Sequence, residues 1–225
     1  MDYRPQEAGG RVSAASVASR TRRLVDGLKS LYPGADCELD HGSALELLVA
    51  TVLSAQCTDQ RVNGVTPALF ARYRTAADYA SADPRELEEL IHATGFFRNK
   101  AKAIIGLSRA IVDRHGGEVP EDLDDLVALP GVGRKTGNVV RSVWFRRPAI
   151  PVDTHVQRLV GRLGLSKETD PVKIELALQK VLKEADWSFV ATALIWHGRR
   201  VCFARNPRCQ ACGLRGDCPF PERRP

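Results

Sequence analysis

The sequence predicts an all-α fold, and three observations carry the prediction. Ala, Leu and Val dominate a chain of 225 residues whose aromatic content is only 6%, a mix that favours helices over sheets. Apolar residues recur at helical spacing in nearly every segment, bounded by capping residues and by Gly or Pro stops. No strand-like alternation persists anywhere. A hydrophobic share of 44% is enough for a real core in one large domain or two modest ones. The net charge of +6 and pI of about 9.1 suit an anionic partner, although charge alone does not choose one. No apolar run approaches the ~18 residues of a membrane span, so no membrane partner is expected. The start, MDYRPQEAGGRVSAASVASRTRR, lacks the apolar stretch of a secretory signal, and Asp2 and Glu7 disfavour a transit peptide. A basic N-terminal arm is the reading that remains.

The elements follow in order. SVASRTRRLVDGLKSLYP carries an Arg/Lys-rich face and stops at Pro33-Gly34. SALELLVATVLSAQ is apolar almost all round, as a central buried helix should be, with Ser43 as its cap. DQRVNGVTPALFARY follows at once. DPRELEELIHATG opens with Asp83 as cap and Pro84 at the first position, and stops at Gly95. RNKAKAIIGLSRAIVDRHGG places Ala101, Ile104, Ile105, Ser108, Ile111 and Val112 near helical spacing and ends at a glycine pair. PEDLDDLVALPG is a short helix and RKTGNVVRSVWF the next. RRPAIPV then interrupts, and the Pro148–Pro151 region is the best domain boundary in the chain. DTHVQRLVGRLG restarts a helix with Val156, Leu159, Val160 and Leu163 in one stripe. DPVKIELALQKVLK and DWSFVATALIWHGRRVC complete the set. No internal repeat of fixed period is present.

The stretch LPGVGRKTGNVV, Leu129 to Val140, is the first that suggests chemistry. A dinucleotide fingerprint needs a third glycine where Thr136 stands, and a strand before it. A Walker A loop needs Lys directly after its second glycine, and Arg134 intervenes. A helix–hairpin–helix fits better. Gly131 and Gly133 are expected to allow backbone geometry closed to other residues. Their N–H groups, with those opening the next helix, can hold a phosphate oxygen of a nucleic-acid backbone. A ligand-free turn between two helices is the plain alternative. Lys135 stands in the first turn of that next helix, where the positive dipole end disfavours an ammonium. If the site is also partly desolvated it can serve as a nucleophile; the plain alternatives are a phosphate contact or a solvated lysine. Asp153, before the Val156 stripe, sits where an N-cap belongs. A carboxylate held rigid by capping could also act as a base or stabilise a cationic sugar.

The tail reads Cys202-x6-Cys209-x2-Cys212-x5-Cys218. Four cysteines in so short a stretch, with no signal peptide before them, point to a metal site in a reducing compartment, not to disulfides. A zinc knuckle usually presents two close pairs, and only one C-x-x-C occurs here. The wide first gap fits a cubane iron–sulfur cluster better, with zinc the alternative. Cys37 and Cys57 stand apart in helical segments and read as buried thiols.

Taken together, LPGVGRKTGNVV, VDTH and C-x6-C-x2-C-x5-C resemble the endonuclease III family of DNA glycosylases. LLVATVLSAQCTDQRVN and TGFFRNKAKAI share the likeness, which runs from about Ser30 onward. The resemblance implies a two-lobed, all-helical helix–hairpin–helix glycosylase fold with a C-terminal [4Fe-4S] loop. Residues 1–36 would form an arm and helix packing with the cluster domain. Residues 37–147 would form a six-helix domain with the hairpin at 129–137, and residues 148–225 the cluster domain. By position, Lys135 matches the family's nucleophilic lysine and Asp153 its catalytic aspartate. Cys202, Cys209, Cys212 and Cys218 match the cluster ligands. Gln56 matches a residue that fills the gap left by a flipped base, with Phe96 in a wedge position. His155 falls beside the aspartate. Leu129, Gly131, Gly133 and Arg134 of the hairpin, and Arg205 and Arg208 of the cysteine loop, are expected to contact DNA. The implied activity is base excision repair. Oxidised pyrimidines are removed from duplex DNA, and the abasic site is then cut on its 3′ side by β-elimination through a lysine Schiff base. The implied setting is a monomer acting on damaged double-stranded DNA in the bacterial cytoplasm, associated with the nucleoid.

The chain departs from the family pattern at three places. Gly137 replaces a usual alanine and should loosen the second hairpin helix slightly. Asn206 stands where a lysine is common, so backbone binding there should be weaker. Phe96 is bulkier than the usual aliphatic residue, which bears on damage preference. Two rivals share parts of the pattern. Adenine-mismatch glycosylases usually lack the lysine and carry a further C-terminal domain, whereas this chain stops at Pro225, soon after the last cysteine. A non-catalytic hairpin module would need neither Lys135 with Asp153 nor the cysteines.

Overall fold

The computed structural model describes residues 14–220. The expected N-terminal arm, residues 1–13, lies outside them, as does the stretch after Phe220. Within the described residues only helices, short 3₁₀ turns and irregular segments occur. No helix among them is long and apolar enough to cross a membrane.

In chain order the helices are α1 Ala14–Leu31, α2 Ala44–Leu53, α3 Asp59–Arg72, α4 Ala76–Ala80, α5 Pro84–Ile91, α6 Phe97–His115, α7 Leu123–Val127, α8 Arg134–Val143, α9 Thr154–Arg162, α10 Pro171–Val181 and α11 Trp187–Arg200. Most begin where a short polar side chain can take an orphan N–H. Ser43 accepts from the Glu46 N–H, Asp83 from those of Arg85 and Glu86, and Asp170 from that of Lys173. α6 ends on the glycine pair, both members in the left-handed region at φ 61° and 90°.

Two local readings need correction. α2 does not run on to Gln56. It stops at Leu53, Cys57 N–H turns back to Ser54 O, and Gln56 takes φ 52°. Apolar periodicity does not show that stop, because the residues beyond it are small and helix-compatible. The extra helix α4 was not anticipated. It is one turn long and is held by a capping box, Thr75 with Asp78 three residues later.

Two hydrophobic cores form. The first spans Leu39 to Val140 and is centred on α2, whose side chains from Leu47 to Leu53 are buried on every side. α3, α6 and α8 pack around it. The second core joins Leu24, Val25 and Leu28 of α1 to α9, α10, α11 and Leu214 of the cysteine loop. The chain crosses between the cores in the extended segment that contains Pro148 and Pro151, since proline neither continues a helix nor donates an N–H. α1 therefore packs with the C-terminal half although it comes first in the chain.

Ile104 is fully buried in the first core. Ile104→Ala is expected to cost about 2–5 kcal/mol in urea unfolding. A loss below about 1 kcal/mol would mean that the surrounding side chains collapse into the space.

Candidate active site and cysteine loop

The hairpin is built by burial on one side and a glycine on the other. Leu129 and Val132 are only 2% and 5% exposed, and they anchor the turn in the first core. Gly131 has φ 76°, and a Cβ added there would lie 2.6 Å from the Ala103 Cβ. Both facts demand glycine. Gly133 does not behave as expected. At φ −91° and ψ 168° its backbone suits any residue, and a Cβ would meet open space. It is the N-cap of α8 with no side chain to cap with, so the first N–H groups of α8 stay open to an outside acceptor. Among the described residues the N–H groups of Gly131 and Gly133 have no backbone acceptor. Leu129 is not available in this way. Its N–H donates to Leu126 O and its side chain is core, so it has no donor for a phosphate. Gly137 packs against Leu123, whose Cδ1 lies 2.9 Å from where a Cβ would stand.

Lys135 lies on the first turn of α8, and it lines a groove of about 480 Å³ that also meets Asp153, Gln56, His155 and Arg199. The groove runs between the two cores. Asp153 opens α9 as its N-cap, accepting from the Val156 N–H at 2.8 Å through Oδ1. Its Oδ2 takes no hydrogen bond among the described residues. The helix start thus fixes the carboxylate without using it up.

His155 sits beside it, half-buried. Arg158 Nη2 lies 3.0 Å from its Nδ1, and the ring also bonds the Gly198 backbone. Burial pushes the His155 imidazole below its ordinary value, Asp153 opposes that, and Arg158 adds to it. The ring is therefore neutral near pH 7. Arg158 also donates to Gly198 O and Cys202 O. Gly198 permits this approach, since a Cβ there would lie 2.8 Å from the His155 Nδ1. Sequence reasoning missed Arg158 and Gly198. The i, i+3 spacing from His155 was a signal for the first.

Arg134 faces elsewhere. Its guanidinium makes a bidentate pair with Glu175 of α10 at 2.7 and 2.9 Å, which leaves its backbone N–H, at the start of α8, as the group open to a phosphate. The carboxylate is nearly buried, so it holds the arginine more firmly than a solvated phosphate contact would. A second ionic tie spans the groove, where Arg199 of α11 pairs with Asp59 of α3 at 2.5 Å and with Glu38. Gln56 and Phe96 are both exposed, Phe96 to 62%, and both are left-handed. Gln56 lines the groove; Phe96 is not among its lining residues.

The cysteine loop follows α11. Cys202, Cys209, Cys212 and Cys218 surround one cavity with Arg162 and His197. Arg162 spans the wide first gap, donating to Cys202 Sγ at 3.3 Å, Phe203 O at 2.7 Å and Ala204 O at 2.9 Å. Among the described residues no three His, Cys, Asp or Glu side chains converge closely enough to grip a single ion. Four sulfurs spread around a shared cavity suit a broader group, as an iron–sulfur cluster is and a zinc ion is not. Arg205 and Arg208 lie exposed on the same loop, Arg208 over the Phe203 ring at 5.3 Å. Cys37 and Cys57 are half-buried and line the groove.

Known proteins resemble this arrangement. The HhH-GPD superfamily of base excision DNA repair proteins matches residues 49–184, and the iron–sulfur binding domain of endonuclease III matches residues 202–218. The endonuclease III of Synechocystis sp. is 54% identical over 206 residues, covering 91% of this chain and 94% of that protein. That of Bacillus subtilis is 47% identical over 201 residues, 89% and 92% of the two chains. A solved non-covalent endonuclease III–DNA complex superposes with a TM-score of 0.87 at 44% identity, covering 91% of this chain and 96% of that one.

Arg134→Met leaves Glu175, only 5% exposed, without its partner. It is expected to cost about 2 kcal/mol, reduced from the buried-pair range because the arginine itself is part-exposed. The salt dependence of duplex-DNA binding should keep its slope. A slope smaller by about one log–log unit, with stability unchanged, would put the guanidinium on a phosphate after all.

Proposed function

The chain belongs to the endonuclease III family of the HhH-GPD superfamily, and from that premise we propose how its residues divide the work of a bifunctional DNA N-glycosylase and AP lyase. The observation that carries the reading is the pairing of Lys135 and Asp153 on one groove, each at the start of a helix and each from a different core.

The substrate is an oxidised pyrimidine in duplex DNA. Its sugar carbon cannot be reached inside the stack, so the nucleotide leaves the helix. Gln56 enters the space it vacates and Phe96 wedges beside it. The amides at Gly131, Gly133 and the start of α8 hold phosphate oxygens on one side, and Arg205 and Arg208 hold them on the other. Lys135 Nζ attacks C1′ as the glycosidic bond breaks, and the base leaves with the bond's electron pair. Asp153 stabilises the cationic sugar through its unshared oxygen and relays the proton that the lysine gives up. Ring opening gives a Schiff base between Lys135 and C1′. Loss of a proton from the adjacent sugar carbon then expels the 3′ phosphate with its electron pair, cutting the strand. His155, neutral, stands beside this centre.

The enzyme carries a [4Fe-4S] cluster, and Cys202, Cys209, Cys212 and Cys218 are its ligands in this reading. Burial pushes the Cys212 and Cys218 thiols up, and the neighbouring cysteines add to that. The positive iron of a bound cluster would balance the four thiolates that line the shared cavity. The cluster folds a loop with little core of its own and presents its two arginines. The working form is a monomer on chromosomal DNA in the bacterial cytoplasm.

Lys135→Ala is expected to abolish borohydride trapping on damaged duplex while keeping the fold and most of the affinity. Trapping at the normal yield would remove Lys135 from the nucleophile's role. Asp153→Asn retains an oxygen for capping, so stability should fall by no more than about 1 kcal/mol while turnover drops far more. A fully active variant would leave only the cap.

Each cysteine of the set, changed singly to serine, is expected to reduce the iron content and the yellow-brown colour of the purified protein. A colourless, active wild-type protein holding one zinc would overturn the ligand assignment.

A further inference from the structure

Lys100 is a charged side chain buried where the chemistry has no use for it. Only 5% of it is exposed, and it forms no ion pair among the described residues. Its Nζ donates to Leu53 O and to Thr94 O, both at 2.8 Å. These are not arbitrary carbonyls. Leu53 is the last residue of α2, three before Gln56. Thr94 is two before Phe96. The Lys100 backbone N–H also donates to Phe96 O at 3.1 Å, forming the first hydrogen bond of α6. One residue thus holds both loops.

Those loops share a second property. Gln56 and Phe96 have φ 52° and 47°, and are two of the four non-glycine residues in the left-handed region among the described residues. Such backbone is strained and persists only where its surroundings fix it. Phe96 is the N-cap of α6 and makes no side-chain cap bond, so its conformation is not maintained by its own side chain. Both side chains are exposed, so burial does not hold them either.

We propose that Lys100 is a positioning residue that ties the loops of Gln56 and Phe96 into one rigid wedge, so that both side chains enter the duplex together when the damaged nucleotide leaves it. The inference rests on the reading of Gln56 and Phe96 as the inserting residues. Its content is that their joint rigidity comes from a single buried ammonium reaching across 47 positions of sequence to Leu53. Burial holds the Lys100 amine below its ordinary value, which is the cost of placing an ammonium there. An apolar residue would fill the same space without that cost, but it would leave two carbonyls without donors. A wedge that is already ordered loses less freedom on entering the stack than two independent loops would.

The test separates wedge action from stability and from chemistry. Single-turnover excision is measured on a duplex with dihydrouracil paired to adenine, and on the same lesion strand opposite an abasic site, where no base pair opposes extrusion. A 2-aminopurine beside the lesion reports unstacking. Lys100→Met removes both hydrogen bonds and should slow unstacking and excision on the paired duplex about tenfold. On the unpaired duplex the rate should stay within about threefold of wild type, since no base pair has to be broken. Lys100→Arg, which restores donors, should recover most of the paired rate. Equal losses on the two duplexes would make Lys100 merely structural and overturn the proposal, as would a paired rate left at the wild-type value. Gln56→Ala and Phe96→Ala are run alongside. If both unstack the paired duplex normally, the wedge reading itself fails. If they are slow and Lys100→Met is not, only the role given to Lys100 fails. Should Lys100→Met not fold, Lys100→Gln, too short to span both carbonyls, is measured in the same comparison.

Discussion

The groove exists because two separately built cores are held at a fixed distance, and a nearly buried ion pair does much of the holding. Glu175 belongs to α10 and the second core, Arg134 to α8 and the first. A carboxylate with so little water around it needs its partner, and the bidentate guanidinium supplies two directed bonds to one site. The pair stands one residue from Lys135. The same arginine that joins the lobes therefore fixes the helix turn from which the lysine projects. Arg199 and Arg200 with Glu38 and Asp59 repeat the device on another side of the groove. Those partners are more exposed, so each pair is worth less, but their network constrains the lobes.

Arginine also connects the cysteine loop to the reacting centre. Arg162 lines up three successive carbonyl and sulfur acceptors at the loop's start. Arg20 of α1 donates to Leu163 O and Gly164 O, and to Asp217 O of the loop. Arg158 bonds the Cys202 carbonyl with one edge and orients His155 with the same nitrogen. A loop with few apolar residues of its own is thus fixed by half-buried guanidinium groups, whose rigid forks lose little freedom on bonding. A cluster bound in this loop would be mechanically continuous with the groove through these bonds.

The sequence by itself determined whatever depends on neighbours three or four positions apart. Asp153 caps α9, Asp83 and Pro84 open α5, and the glycine pair closes α6, because each is a bond or a dihedral within one turn of chain. Gly131 was legible for the same reason, and the cysteine spacing marked its loop before any fold was known. Tertiary structure decided what depends on distant partners. Nothing near Arg134 in the chain points to Glu175, 41 positions away, so a basic residue in a hairpin read as a phosphate contact. Leu129 looked like part of a binding motif until its burial showed a side chain spent on the core. Gly133 looked conformationally special, yet its backbone is ordinary and only its open approach matters. Lys100 gave no local signal, since a lysine in an amphipathic helix is usually solvated. Its burial follows from where α2 ends. That end was itself invisible to apolar periodicity, because the residues beyond it are small and helix-compatible.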